Sequence, residues 1–329
     1  MKDLLRLGYY FCKDIIDFKG RERLKKNIIL RDQYLGKRIF LLLTGESLKR
    51  IDISKLRNEY TFGTAHIFLY EDFEKVDLSF YMNAEPFNSI AFTENSPYWP
   101  KAYSQPLGSE GIVRFYKEID KWLGNKTTLI LHNDNYKYIQ RNNLFIDKKT
   151  YFIKGKKDLQ VTEGVPYQVV ADLTKRRISG GGSIFFSILS MMYMGFKEIY
   201  LCGAGYTYDP TYHFHFYDNF VFPRNMGRQK AENEAKKAIE ACNNRSSSTL
   251  EYYGLFEKDD FYRSVCVIKR KHDIHKDRHL ILNNYAKSQG LKIYNIVPDG
   301  FESSIYEKIS WQEVESKVLS GNSKNKVKK

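Results

Sequence analysis

Seven consecutive residues, Arg177-Ile178-Ser179-Gly180-Gly181-Gly182-Ser183, combine a cation, two hydroxyls and a run of glycines. Such a turn can aim several backbone N–H groups at one anion, because glycine lets the main chain approach closely and take positive φ. An apolar stretch from Ile184 to Met194 follows, and then Gly195-Phe196-Lys197-Glu198-Ile199-Tyr200-Leu201-Cys202-Gly203. The stretch is apolar nearly all round, which predicts a buried helix, and Glu198 to Leu201 reads as a parallel strand ending at Gly203. Turn, helix and strand make half of a nucleotide-binding α/β unit. A plain flexible turn is the competing reading of the three glycines.

A second turn has similar chemistry. The run Lys37-Arg38-Ile39-Phe40-Leu41-Leu42-Leu43 reads as a buried strand, and it leads into Thr44-Gly45-Glu46-Ser47-Leu48, where a helix is expected to start. Histidines form a third set. His213 and His215 lie in an aromatic loop from Tyr206 and Tyr208 to Asn219, and His272, His275 and His279 lie in a charged segment before a helical pattern. Histidine suits a general base because its ordinary pKa lies near neutrality. The spacings His213-X-His215 and His272-X-X-His275-X-X-X-His279 also offer imidazoles to a metal. Against a metal stand the lack of a cysteine at ligand spacing, of His-Glu-X-X-His and of any Asp-X-Asp.

The elements that must position these groups alternate along the chain. Strands are expected at 37–43, 61–69, 78–82, 127–131, 198–201 and 291–297. Helices are expected at 110–123, 184–194, 228–243 and 278–289, the last capped by Gly290. This alternation predicts an α/β fold of the Rossmann-like, doubly wound type, its sheet mainly parallel and its ligands at the carboxyl ends of the strands. Residues 1–36 read as a helical extension carrying the basic stretch Lys19-Gly20-Arg21-Glu22-Arg23-Leu24-Lys25-Lys26. That extension either packs on the core or lies on an anionic membrane surface. Residues 37–319 form the main domain, with acceptor-side insertions near 85–172 and 204–275, and 320–329 read as a basic disordered tail.

Composition narrows the class. The 329 residues are 42% hydrophobic, and 53 Lys+Arg against 39 Asp+Glu leave a net charge of +14, which favours anionic partners. The basic residues are dispersed and no RNA-binding aromatic signature occurs, so nucleic acid is not expected as a partner. Cys12, Cys202, Cys242 and Cys266 have no Cys-X-X-Cys spacing and read as reduced thiols. Without a signal peptide or an apolar run long enough to span a bilayer, a cytoplasmic location is expected.

Four of these motifs together resemble one family. They are Gly45 to Asp52, Arg177-Ile178 before an apolar helix, Gly195 to Gly203, and Leu291-Lys292-Ile293-Tyr294 up to Pro298. In that order they resemble the small bacterial sialyltransferases that use CMP-sialic acid. They are also similar to the broader pterin-pyrophosphokinase-like relatives of those enzymes, found in surface-polysaccharide gene clusters. The resemblance covers roughly residues 37–303 and implies a variant of the GT-A-like fold. It implies that Gly45 and Ser47 meet the nucleotide phosphate or ribose, with Gly203 in the same donor site. Arg177, Gly180, Gly181, Gly182 and Ser183 would face the phosphate and sugar carboxylate, and Asn83 would lie near the donor. The base would come from residues 271–277, with His275 oriented by Asp277, His272 next to it, and His215 as the further candidate. Tyr206 and Tyr208 would neutralise the departing phosphate. Three positions depart from the family. Glu46 brings a carboxylate to a turn that in the family reads Gly-Asn-Gly-Pro-Ser, Ala65 stands for an Asn, and Gly205 for an Asp, so a different nucleotide or sugar is open.

The expected activity is transfer of a sugar, an acidic sialic-acid-like one from a CMP donor, to a bacterial surface glycan or lipid-linked acceptor, as in capsule or lipopolysaccharide synthesis. Inversion by direct displacement is what the resemblance implies. The partners are then a nucleotide sugar, a glycan or glycolipid acceptor, and an anionic membrane face at the inside of the cytoplasmic membrane. No cofactor beyond the donor is expected, and no divalent metal is expected to be essential. The alternative is a pterin-pyrophosphokinase-like phosphotransferase, which would need ATP, Mg²⁺ and carboxylates at the donor turn.

Overall fold

The computed structural model describes residues 17–65, 67–70, 73–84, 116–117, 119–155, 169–175, 178, 182–205, 276–297, 303 and 305–320. Eight described strands form one sheet: β1 (Arg38–Leu42), β2 (Thr61–Thr64), β3 (Phe80–Asn83), β4 (Thr128–His132), β5 (Thr150–Ile153), β6 (Glu198–Cys202), β7 (Lys292–Ile296) and β8 (Glu307–Ile309). Their order is β5-β4-β3-β2-β1-β6-β7-β8. Every described pairing is parallel, so the sheet is the doubly wound α/β sheet expected from the alternating elements.

Two hydrophobic layers explain this order. The connections from β1 through to β5 bury Leu48, Ile51, Ile53, Leu56, Phe73, Ile119 and Ile139 on one face. The return from β5 to β6 runs through α3 (Ser183–Tyr193), and the next crossover through α4 (276–288). These bury Phe185, Ile188, Leu189, Leu282 and Ala286 on the opposite face. A right-handed crossover that steps one way across a parallel sheet covers one face, and a step the other way covers the other. The direction of winding therefore reverses between β1 and β6.

Composition accounts for the local structure. The first ten residues of α3, 183–192, carry neither a charge nor a glycine, and most of the helix is buried. Each fully buried Phe, Ile or Leu there contributes roughly 1.5–3 kcal/mol. Ser187 and Ser190 turn their hydroxyls back to the Ser183 and Phe186 carbonyls, both at 2.7 Å, which lets polar side chains lie in an apolar layer. On the other face, Phe40, Tyr200 and Tyr294 share a register line across β1, β6 and β7 and stack with ring centroids 4.9 Å apart at each step.

The N-terminal segment is part of this body. Helix α1 (Phe18–Lys25) and a 3-10 turn (Lys26–Leu30) bury Leu24, Asn27 and Leu30. Asn27 donates to the carbonyls of Phe152 (2.7 Å) and Leu173 (2.8 Å), which ties the segment to the β5 edge. At its far end Asp32 N–H donates to the Tyr193 carbonyl and Tyr34 N–H to that of Met194.

Some boundaries differ from the sequence expectation. The second strand stops at Thr64 instead of reaching Leu69, because Ala65 takes φ +49° and residues 67–69 close a 3-10 turn. The third runs to Asn83 instead of Met82. Within residues 85–172, strands β4 and β5 join the sheet, and helix α2 (Tyr136–Arg141) packs Ile139 into the layer on one of its faces. The short edge strand β8 had no counterpart in the sequence reading. The helix expected at 228–243 lies outside the described residues.

Candidate active site

In an open, doubly wound sheet, ligands bind in the crevice at the carboxyl ends of the strands where the winding reverses. Here that crevice falls at Leu43–Ser47 after β1 and at Gly203–Gly205 after β6. The two turns touch. Leu43 N–H donates to the Cys202 carbonyl (2.9 Å), and Gly45 N–H donates to the Gly203 carbonyl (3.1 Å).

Both glycines are needed for that approach. Gly45 has an ordinary φ of −66°, yet a Cβ placed on it would stand 2.2 Å from the Gly203 oxygen. Gly203 has φ +81°, and a Cβ there would meet the Leu43 oxygen at 2.8 Å. Any side chain at either position would drive the turns apart. Beyond Gly45 the chain closes a 3-10 turn (Glu46–Arg50), with Leu48 N–H on the Gly45 carbonyl at 2.9 Å.

Polar groups are buried in this apolar setting. Ser47 is 3% exposed, and its hydroxyl has no hydrogen-bond partner among the described residues. A buried orphan hydroxyl costs on the order of 1–3 kcal/mol, so a ligand that satisfies it recovers that cost. Thr44 beside it is buried as well. Asn83 is buried at the carboxyl end of β3, two strand spacings from β1, or roughly 10 Å. Helix α3 packs on β2 and β3 and runs antiparallel to the strands, so its N-terminus faces this rim. Gly182 caps it with φ +109°, and Phe186 fills the space at Gly155, just past β5. The positive end of the helix dipole then points to the edge where Gly45 and Gly203 lie.

The structure thus brings Gly45, Ser47 and Gly203 together and puts Asn83, Gly182 and Ser183 on the same rim. The other expected site residues, Arg177, Gly180, Gly181, Tyr206, Tyr208, His215, His272 and His275, lie outside the described residues, as does the side chain of Glu46. Of the departures, Ala65 makes the left-handed turn after β2 and Gly205 is buried behind Gly45.

Two histidines acquire definite surroundings. His279 is buried within α4, where its Nδ1 is hydrogen-bonded to the Tyr306 hydroxyl and its ring centroid lies 4.2 Å from that of Phe185. His132, which the sequence reading passed over, closes β4. It is buried, and its Nδ1 accepts the Asp134 N–H at 3.2 Å, which puts the neutral ring's proton on Nε2. Its place directly after the strand at 127–131, before Asn133-Asp134-Asn135, was the available signal. Cys202 ends β6 beside Gly203, and burial pushes its thiol far above the ordinary value, so it stays protonated and is no nucleophile. Among the described residues no group of three or more His, Cys, Asp or Glu is placed to hold a metal ion, and no helix is long and apolar enough to cross a membrane.

Comparison with protein families and with curated proteins finds no match. Among solved structures the chain is similar to the MAf glycosyltransferase from Magnetospirillum magneticum AMB-1, with 13% identity and a TM-score of 0.31 over 58% of this chain. The matched part spans 28% of that protein. A likeness at that level carries no argument about function, and the fold rests on the strand order and pairing of the chain itself.

Proposed function

We propose that the chain is a glycosyltransferase whose nucleotide-sugar donor binds across the carboxyl ends of β1 and β6. The observation that carries this reading is the Gly45–Gly203 contact with the buried, unsatisfied Ser47 hydroxyl beside it, at the point where the winding reverses. Backbone at close approach, a spare hydroxyl and a nearby helix N-terminus suit a phosphate or ribose.

In this reading Gly45, Ser47 and Gly203 hold the phosphate or ribose, and Asn83 stands near the donor. Gly182 and Ser183, with Arg177, Gly180 and Gly181, face the phosphate and the sugar carboxylate. The donor is CMP-linked and the sugar is acidic and sialic-acid-like, as the resemblance implies. His275, or else His272 or His215, takes the proton from the acceptor hydroxyl. The acceptor oxygen bonds to the anomeric carbon while the bond to the donor phosphate breaks, and CMP leaves with the electron pair, assisted by Tyr206 and Tyr208. A positioned base of this kind contributes about 10²–10⁴-fold. The acceptor is a surface glycan or lipid-linked sugar, and no divalent ion is required.

A thermal-shift series with CMP, UDP, GDP, ATP and their sugars, with and without Mg²⁺, tests the proposal. A ligand at a hundred times its Kd adds about 2.7 kcal/mol of stability. CMP and its sugars are expected to raise Tm without Mg²⁺. A response confined to ATP with Mg²⁺ would favour the pterin-pyrophosphokinase-like phosphotransferase, for which Glu46 at the donor turn speaks. No response to any nucleotide would overturn both.

A further inference from the structure

The outer face of the N-terminal segment does not look like the outer face of an ordinary surface helix. Its inward side is buried at Gly20, Leu24, Asn27 and Leu30. Its outward side carries Phe18, Ile28 and Ile29, which are 67%, 53% and 53% exposed. Between them stand the exposed ammonium groups of Lys19, Lys25 and Lys26. Lys25 pairs with Glu22 at 2.8 Å, but both side chains are solvated, so the pair holds little. Lys19 and Lys26 have no carboxylate within ion-pair distance among the described residues.

A helix that packs one stripe on a core normally turns polar residues outward. The core of a protein interface would take the three apolar side chains but is depleted in lysine. A bilayer surface accepts both: apolar side chains enter the boundary between headgroups and acyl chains, while lysine stems run along it and put their charges on anionic headgroups. The backbone supports this use, because Asn27 and the Asp32 and Tyr34 N–H groups fix the segment to the body and hold the face outward.

We propose that the face made by Phe18, Lys19, Lys25, Lys26, Ile28 and Ile29 docks this protein on an anionic lipid bilayer. The inference does not depend on the transferase reading. Asp17, at the start of the segment, reaches the Asn133 side chain just past β4, so the docking face begins at the same sheet edge as the candidate active site.

The full chain is floated with vesicles of phosphatidylcholine alone and of phosphatidylcholine with phosphatidylglycerol, at low and high salt. Flotation is expected with the anionic vesicles, and salt weakens it. Ile28→Ser with Ile29→Ser lowers partitioning by roughly tenfold or more, and Lys19→Glu with Lys26→Glu does so most at low salt. These side chains are exposed, so unchanged thermal melting confirms that the variants are folded. Failure of the wild type to float overturns the proposal, and so do variants that float like the wild type. Lipid-free self-association that the isoleucine variant abolishes overturns it too, since the face would then belong to a second copy of the chain.

Discussion

Gly45 donates its backbone N–H to the carbonyl of Gly203 at 3.1 Å, and this contact joins the turns that leave the two strands between which the sheet changes direction. It explains why neither turn tolerates a side chain and why the polar group behind it, Ser47, is enclosed. Gly45→Ala would place a methyl 2.2 Å from the Gly203 oxygen. The variant is expected to lose about 2 kcal/mol or more from the forced separation, and with it nucleotide binding. Chemical denaturation and a nucleotide titration measure the two losses.

A change at the opposite edge separates stability from binding. Arg38 makes a two-pronged hydrogen bond to Glu59, at 2.9 and 2.8 Å, and the Glu59 side chain is only 6% exposed. That bond holds the Arg38 pKa above its usual value. Arg38→Met takes both guanidinium hydrogen bonds away from a buried carboxylate and is expected to cost about 3 kcal/mol. The pair lies at the amino ends of the strands, so nucleotide affinity measured below the melting range stays unchanged.

Cys202 ends β6 against the site, yet its thiol is fully buried and held protonated. The folded protein is expected to leave Cys202 unmodified by iodoacetamide at neutral pH, and denaturant exposes it to the reagent. Peptide mapping of the alkylated protein reads this directly. Rapid labelling of Cys202 in the folded state would mean that the end of β6 opens.

Much of this architecture was legible in the sequence because the central strands are buried on both faces. Ile39 to Leu42 and Ile199 to Cys202 are continuous apolar runs, and α3 is apolar enough to be read as buried. The positions of Gly45 and Gly203 were legible for the same reason, since each follows such a run. Their contact was not, because strand order is fixed by crossovers that local pattern does not encode. Ser47 could be named as a donor contact, but only packing shows that its hydroxyl is orphaned. The edges were harder: β5 and β8 are short and partly polar, and β2 is cut short by the left-handed turn at Ala65. The docking face was foreshadowed by the basic stretch, whereas the exposure of Ile28 and Ile29 depends on which side of the segment meets the core.

The Ser47 hydroxyl provides the most direct test of a nucleotide site at the reversal between β1 and β6. Ser47→Ala removes a buried polar group that has no partner among the described residues, so the ligand-free protein is expected to melt at the same temperature or higher. If a phosphate or ribose satisfies that hydroxyl, the same variant loses roughly 10- to 100-fold in nucleotide affinity. The measurement is calorimetric titration of wild type and variant with the nucleotide that most stabilises the wild type. An undiminished ligand-free Tm with weakened binding is the predicted result, and unchanged affinity in a folded variant would contradict the placement of the donor at this turn.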